Sequence, residues 1–153
     1  MATRSVIIVP PAIDPMIDPI NGATPNPAFP FVGIYVHWDG YPEGVGVTLQ
    51  NHYTDDEKIT ALMRLGSLSS LAPLLAPVRE AVPAAGGEEA PKHTFEKPVE
   101  GVTVAYHRDR GEPLQHYYAP TLAGLLSQAR DSWCEYAYLR DPEEPTGWRC
   151  IEL

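Results

Sequence analysis

The sequence predicts an α+β fold: a single domain over residues 1–153, with a mostly antiparallel sheet of about five strands and two to three helices packed on it. Three observations carry this. Short β-branched runs bounded by Pro or Gly recur along the chain. Two segments carry helix caps ahead of an apolar stripe. The chain ends in a pair of apolar runs joined by a Pro- and Gly-containing turn, and strands outnumber the crossover helices that a parallel sheet needs.

The first run, "TRSVIIVPP" (3–11), reads as a strand stopped by two prolines. Residues 12–30 carry a near repeat, Ile13-Asp14-Pro15 and Ile17-Asp18-Pro19, and read as a Pro-rich loop insertion. "VGIYVHWD" (32–39) reads as the second strand. Its alternation places Ile34, Val36 and Trp38 on one face, with Trp38 in the core, and Tyr35, His37 and Asp39 on the other. Gly40 ends the strand. Pro42 suits a helix's first turn, where its missing N–H costs nothing, and Val45, Leu49 and His52 or Tyr53 follow at helical spacing.

The clearest helix signal is "TDDEKITALMRLG" (54–66). Thr54 is the expected N-cap, with Glu57 completing a capping box. Asp55, Asp56 and Glu57 suit the positive end of the dipole, Ile59, Leu62 and Met63 form the stripe, and Gly66 fits a left-handed stop. "SLSSL" (67–71) reads as a connection. Residues 72–98 form the second Pro-rich insertion, most flexible over 72–92. "GVTVAYHRD" (101–109) reads as the third strand, with Thr103, Ala105, His107 and Asp109 sharing a face. "TLAGLLSQAR" (121–130) reads as a helix capped by Thr121. "CEYAYLRD" and "GWRCIEL" close the chain as a hairpin that does not set Cys134 opposite Cys150, so both thiols are expected free.

The net charge of −9 argues against binding a phosphate backbone, which needs a basic stripe. The acids are scattered, with no dense face that would mimic nucleic acid. No segment has the pattern of a signal peptide or the length of a membrane span, so the expected location is the cytoplasm.

Four stretches, "ATRSVI", "GIYVHWDGYPEGVG", "HYTDDEKITALMRLGSLSSL" and "EGVTVAYHRDRGE", together with the "EYAYL…GWRCIEL" ending, resemble a family of uncharacterised proteins of tailed phages and prophages. They cover roughly half of the chain, and the His-Trp-Asp-Gly-Tyr-Pro-Glu string is the most specific part. The insertions at 12–30 and 72–92 depart from the pattern, but lie between its motifs. The resemblance implies a phage gene product acting in the host cytoplasm. It implies no activity.

Three constellations stand out. His37-x-Asp39 and His107-x-Asp109 would converge if their strands neighbour each other in register, which suits a divalent metal or an acid/base pair. The plainer reading is helix capping and sheet-edge hydrogen bonding. In "HRDRGE", Arg108 and Arg110 fit a phosphate or carboxylate fork, or else a salt-bridge network with Asp109 and Glu112 at the Gly111 turn. Its His-Arg-Asp is not a kinase loop, because no Gly-rich loop or Asp-Phe-Gly accompanies it. Gly44 and Gly46 leave the backbone open in the first turn after Pro42, which suits either an anion or close packing. With Tyr41 as a stacking ring, the expected ligand site is His37, Asp39, Tyr41, Gly44, Gly46, His107, Arg108 and Arg110.

No Ser/His/Asp order or Cys nucleophile stands out in the sequence. The leading expectation is therefore a phage accessory protein, for host takeover or anti-defence. It would bind or sequester a host protein or a small anionic ligand, without a cofactor, nucleic acid or membrane, and with homo-oligomerisation open. Two alternatives stand beside it. One is a metal-dependent hydrolase or lyase on a nucleotide-like substrate, using His37, Asp39, His107 and Asp109. The other is a minor virion protein.

Overall fold

One central strand reads Val-Ile-Ile-Val, and the reason for that unbroken run is burial on both faces. The computed structural model describes residues 2–10, 31–77 and 92–153. The first insertion, at 12–30, and residues 78–91 of the second lie outside the described residues.

In chain order the elements are β1 (Arg4–Val9), β2 (Phe31–Val36), a π-helical turn (Pro42–Gly46) running into α1 (Val47–His52), α2 (Asp56–Arg64), β3 (Leu68–Ser70), β4 (Val104–Ala105), α3 (Tyr106–Arg110), β5 (Tyr117–Ala119), α4 (Leu122–Asp131), β6 (Cys134–Arg140) and β7 (Trp148–Glu152). They form a seven-stranded sheet ordered β4-β3-β2-β1-β6-β7, with β5 also paired to β2. The fold is α+β as expected, but the sheet is mixed. β1–β2, β2–β5, β3–β4 and β6–β7 are antiparallel, whereas β1–β6 and β2–β3 are parallel.

Period-two alternation sorts β1 into two cores. Ile7 and Val9, with Ile34 and Val36 of β2, pack under Leu49 of α1, Tyr53 just after it, and Ile59, Leu62 and Met63 of α2. Val6 and Ile8 face the other way, against Leu125 and Ala129 of α4. Each fully buried Leu or Ile contributes about 2 kcal/mol by leaving water. No helix of the described residues is long and apolar enough to cross a membrane.

Several local expectations hold. Thr121 caps α4 by accepting from the Gly124 N–H, Gly66 takes φ 71° after α2, and β6–β7 is the expected hairpin with both cysteines free. Others need correction. The cap of α2 is Asp55, which accepts from the Lys58 N–H, one residue later than Thr54. Residues 68–70 are a strand, because they bridge β2 to β4. Trp38 is 47% exposed, since β2 stops at Val36 and the chain then turns.

The strand expected over 101–109 survives only as β4. From Tyr106 the chain coils into α3, and side chains drive this. The Asp109 carboxylate folds back to accept the Ala105 N–H at 2.8 Å, while Arg108 donates to the Thr103 carbonyl at 2.7 Å and to the Leu75 carbonyl at 2.5 Å. Those bonds satisfy backbone groups that a longer ladder would otherwise use.

Residues 33–46 are thus strand, turn and helix start. Gly40 lies where a Cβ would meet the Thr3 carbonyl and the Ser5 side chain, and its own N–H donates to Thr3 O at 2.8 Å. The buried Tyr138 hydroxyl donates to Gly40 O at 2.6 Å, so β6 and the residues leading into β1 both grip this turn.

Candidate functional site

The sheet divides at β2. One edge pairs with β1 throughout; the other gives Phe31–Gly33 to β5 and Val36 to β3. Beside this fork lies a cleft of about 890 Å³, a volume that suits a small molecule. Its walls come from the start of β1, Tyr35 of β2, the segment from Tyr106 to Tyr118, and the 131–133 turn after α4.

Parallel pairing of β1 with β6 sets Arg4 against Cys134, and so brings the turn before β6 to the mouth of this cleft. The Arg4 guanidinium lies 5.9 Å from the centre of the Trp133 ring. Among the described residues it forms no ion pair with a carboxylate, unlike Arg108, Arg110, Arg140 and Arg149. Arg4 sits on the α4 face of β1 by the same alternation that places Val6 and Ile8 there.

Arg4 also acts on its neighbours. Burial pushes the Tyr35 phenol up, with hydrogen bonding to Arg4 opposing it. The phenol therefore stays protonated and donates to His37 Nδ1 at 2.8 Å. Burial, and then the charge of Arg4, lower the His37 pKa below its usual 6.5. Replacing Arg4 with Gln is expected to raise the His37 titration midpoint, read from its ring-proton NMR shifts. An unmoved midpoint would show that the two groups do not interact.

Two further histidines line the cleft. His107 Nδ1 donates to Glu112 O at 2.7 Å, leaving Nε2 to solvent or ligand. His116 Nε2 donates to Met63 O at 2.6 Å, which fixes the proton there. Its Nδ1 is then an acceptor, and it has no partner among the described residues. Burial lowers the His116 pKa, so the ring is neutral at pH 7. The carboxylates of Glu112 and Asp131 also line the cleft, and Arg110 pairs with Glu112 at 3.5 Å.

The residues expected to form the site are divided by the fold. His107 lies in the cleft wall, and His37 sits behind Tyr35. Asp39 and Tyr41 bond each other at 3.1 Å on the surface. Asp39 lies beyond β2 at φ 56°, so it no longer alternates with His37. Arg108 is committed to Asp109 and to two carbonyls, and Arg110 to Glu112 and to the Phe95 ring, 4.8 Å away. This is the salt-bridge network, not an open fork.

Gly44 and Gly46 do not hold an open anion site. The Gly44 N–H donates to Tyr41 O and the Val45 N–H to Asp39 O, both at 2.9 Å. A Cβ at Gly44 would strike the Asp39 carbonyl, and one at Gly46 would meet the Tyr138 ring at 3.1 Å. Close packing explains both glycines.

His37, Asp39, His107 and Asp109 form no metal group; among the described residues no three His, Cys, Asp or Glu side chains do. Asp109 instead meets His93, a partner not read from the sequence. His93 Nδ1 accepts from the Val99 N–H at 3.0 Å, so Nε2 carries the proton and donates to Asp109 Oδ2 at 3.2 Å. Both side chains are 5% exposed, so this pair fastens the 92–103 segment to α3 and has no access to a substrate.

Sequence reasoning also missed Arg4, His116 and Trp133. A polar residue in phase with a buried strand face was the legible signal for Arg4. For Trp133 there was none.

The described residues thus form an α+β fold with an aromatic cleft and a cation at its mouth. No family model, no curated protein and no solved structure matches the chain.

Proposed function

We propose that this protein is a phage accessory protein that binds and sequesters a small anionic ligand in the cleft beside the β2 fork, without turning it over. The observation that carries the reading is Arg4: a guanidinium at a roomy cleft, unpaired with any carboxylate of the described residues. Buried or semi-buried cations are ordinarily paired. In a chain of net charge −9, an unpaired one at a concave site favours an anion from outside.

The plain chemistry of the walls favours binding over turnover. The buried His93–Asp109 pair is inaccessible, and the residues expected to hold a metal are apart. With its Nδ1 proton given to Glu112 O, His107 leaves Nε2 as an acceptor in the cleft wall, which suits orientation of a hydroxyl or amino group on the ligand.

The test is to incubate the purified protein with a bacterial small-molecule extract, repurify it and analyse the heat-released fraction by mass spectrometry. A phosphate- or carboxylate-bearing metabolite is expected, unchanged in mass. Arg4→Ala is expected to weaken its binding by about tenfold or more, since a charge-assisted hydrogen bond contributes about 1.5–3 kcal/mol. Release of nothing, or of a chemically altered product, would overturn the proposal.

A further inference from the structure

The end of α4 departs from the pattern at the ends of α2 and α3. Helices often finish on a left-handed residue, and Gly is the usual occupant because it has no Cβ. Gly66 fills that place after α2 at φ 71°, and Gly111 after α3 at φ 76°. After α4 the place goes to Trp133, at φ 61°. Its N–H donates to Arg130 O at 2.9 Å, so the turn itself is an ordinary helix ending.

A bulky side chain in that conformation is strained. Packing does not account for it, because Trp133 is 74% exposed, the most exposed of the large hydrophobic side chains among the described residues. What the ring does touch is the cleft: it lines the mouth and sits under Arg4. Tyr35 and Tyr106 supply further aromatic wall. The carboxylates of Glu112 and Asp131 discourage a bare anion, but can accept hydrogen bonds from a ring's amino group.

From this juxtaposition we infer that the ligand is a nucleotide, a phosphate ester carried on an aromatic base, with its base stacked on Trp133 and its phosphate on Arg4. The inference rests on the anion-binding reading above and adds the ring. Stacking on Trp is tolerant of base identity, while Arg4 supplies the phosphate contact, so one site reads both halves of the ligand.

The test uses the full chain and three probes: AMP, ribose 5-phosphate and inorganic phosphate, titrated by calorimetry. Wild type is expected to bind AMP at least about tenfold more tightly than ribose 5-phosphate. Trp133→Gly is expected to remove that preference while keeping the affinity for ribose 5-phosphate, and Trp133→Phe to keep most of the preference. The Tm of Trp133→Gly is expected to hold or to rise by about 3 °C as strain is released. Equal binding of AMP and ribose 5-phosphate by wild type would overturn the ring and leave the anion reading standing. Binding of none of the three at millimolar concentration would overturn the nucleotide; if the extract also releases nothing, the anion reading falls with it. A preference that survives in Trp133→Gly, or a Tm that falls in that variant, would remove Trp133 from the site.

Discussion

Replacing Asp109 with Asn is expected to destabilise the protein by about 3 kcal/mol at pH 7. The carboxylate accepts from Arg108 at 2.8 and 3.0 Å, from the Ala105 N–H at 2.8 Å and from His93 at 3.2 Å, and its side chain is 5% exposed. Asn supplies one acceptor in place of two and turns its other end into a donor facing donors. Arg108 then holds a charge with no carboxylate beside it.

The same site sets a pH dependence. Burial alone would push the Asp109 carboxyl up, but the hydrogen bonds from Arg108 and Ala105, with the charge of Arg108, outweigh it and hold the group below its usual 3.8. A carboxyl with a depressed folded pKa adds stability above its unfolded value, and that stability is lost as pH falls through the folded value. Urea unfolding at pH 7, 5 and 3 is therefore expected to show the gap between wild type and Asp109→Asn narrowing below about pH 4. A loss under about 1 kcal/mol at pH 7 would mean that the network is dispensable, and would return Asp109 to the residues free for ligand chemistry.

Gly44→Ala is expected to cost about 3 kcal/mol, at the upper end for a single added methyl. The new Cβ would fall on the Asp39 carbonyl, a backbone atom already committed to the Val45 N–H. Asp39 itself sits at φ 56°, so the turn has little room to move. Gly101→Ala is the control: φ is 79° there, yet nothing stands within 4 Å of the added methyl, so only the strain of about 1 kcal/mol remains. Thermal and urea unfolding of the pair would separate the two effects. A Gly44→Ala variant no weaker than the control would show that this turn is soft, and would reopen the helix start as a ligand site.

Much of the fold was legible because its signals are local. β1 announces itself by four consecutive apolar residues, α4 by Thr121 and its stripe, and β6–β7 by the turn between them. The shift of the α2 cap from Thr54 to Asp55 is a one-residue matter of which side chain reaches the Lys58 N–H.

The 101–109 segment was misread for a physical reason. Val102, Val104 and Tyr106 alternate like a strand, but Asp109 and Arg108 satisfy the backbone through their side chains and coil it into α3. Those bonds reach Leu75 and the 92–103 segment, contacts that no window of local sequence contains. Once α3 forms, His107 and Asp109 leave their shared face, and the expected metal quartet comes apart.

The sequence by itself determined the strand at β1, the stripe of α2, the cap and stripe of α4 and the closing hairpin. Each depends on hydrophobic period and on side chains within a few residues. Only the tertiary structure decided the cleft. Parallel pairing of β1 with β6 joins Arg4 to the turn that holds Trp133, and the sharing of one β2 edge by β3 and β5 opens the sheet beside them. Strand pairing acts between residues far apart in the chain, so local pattern does not specify it.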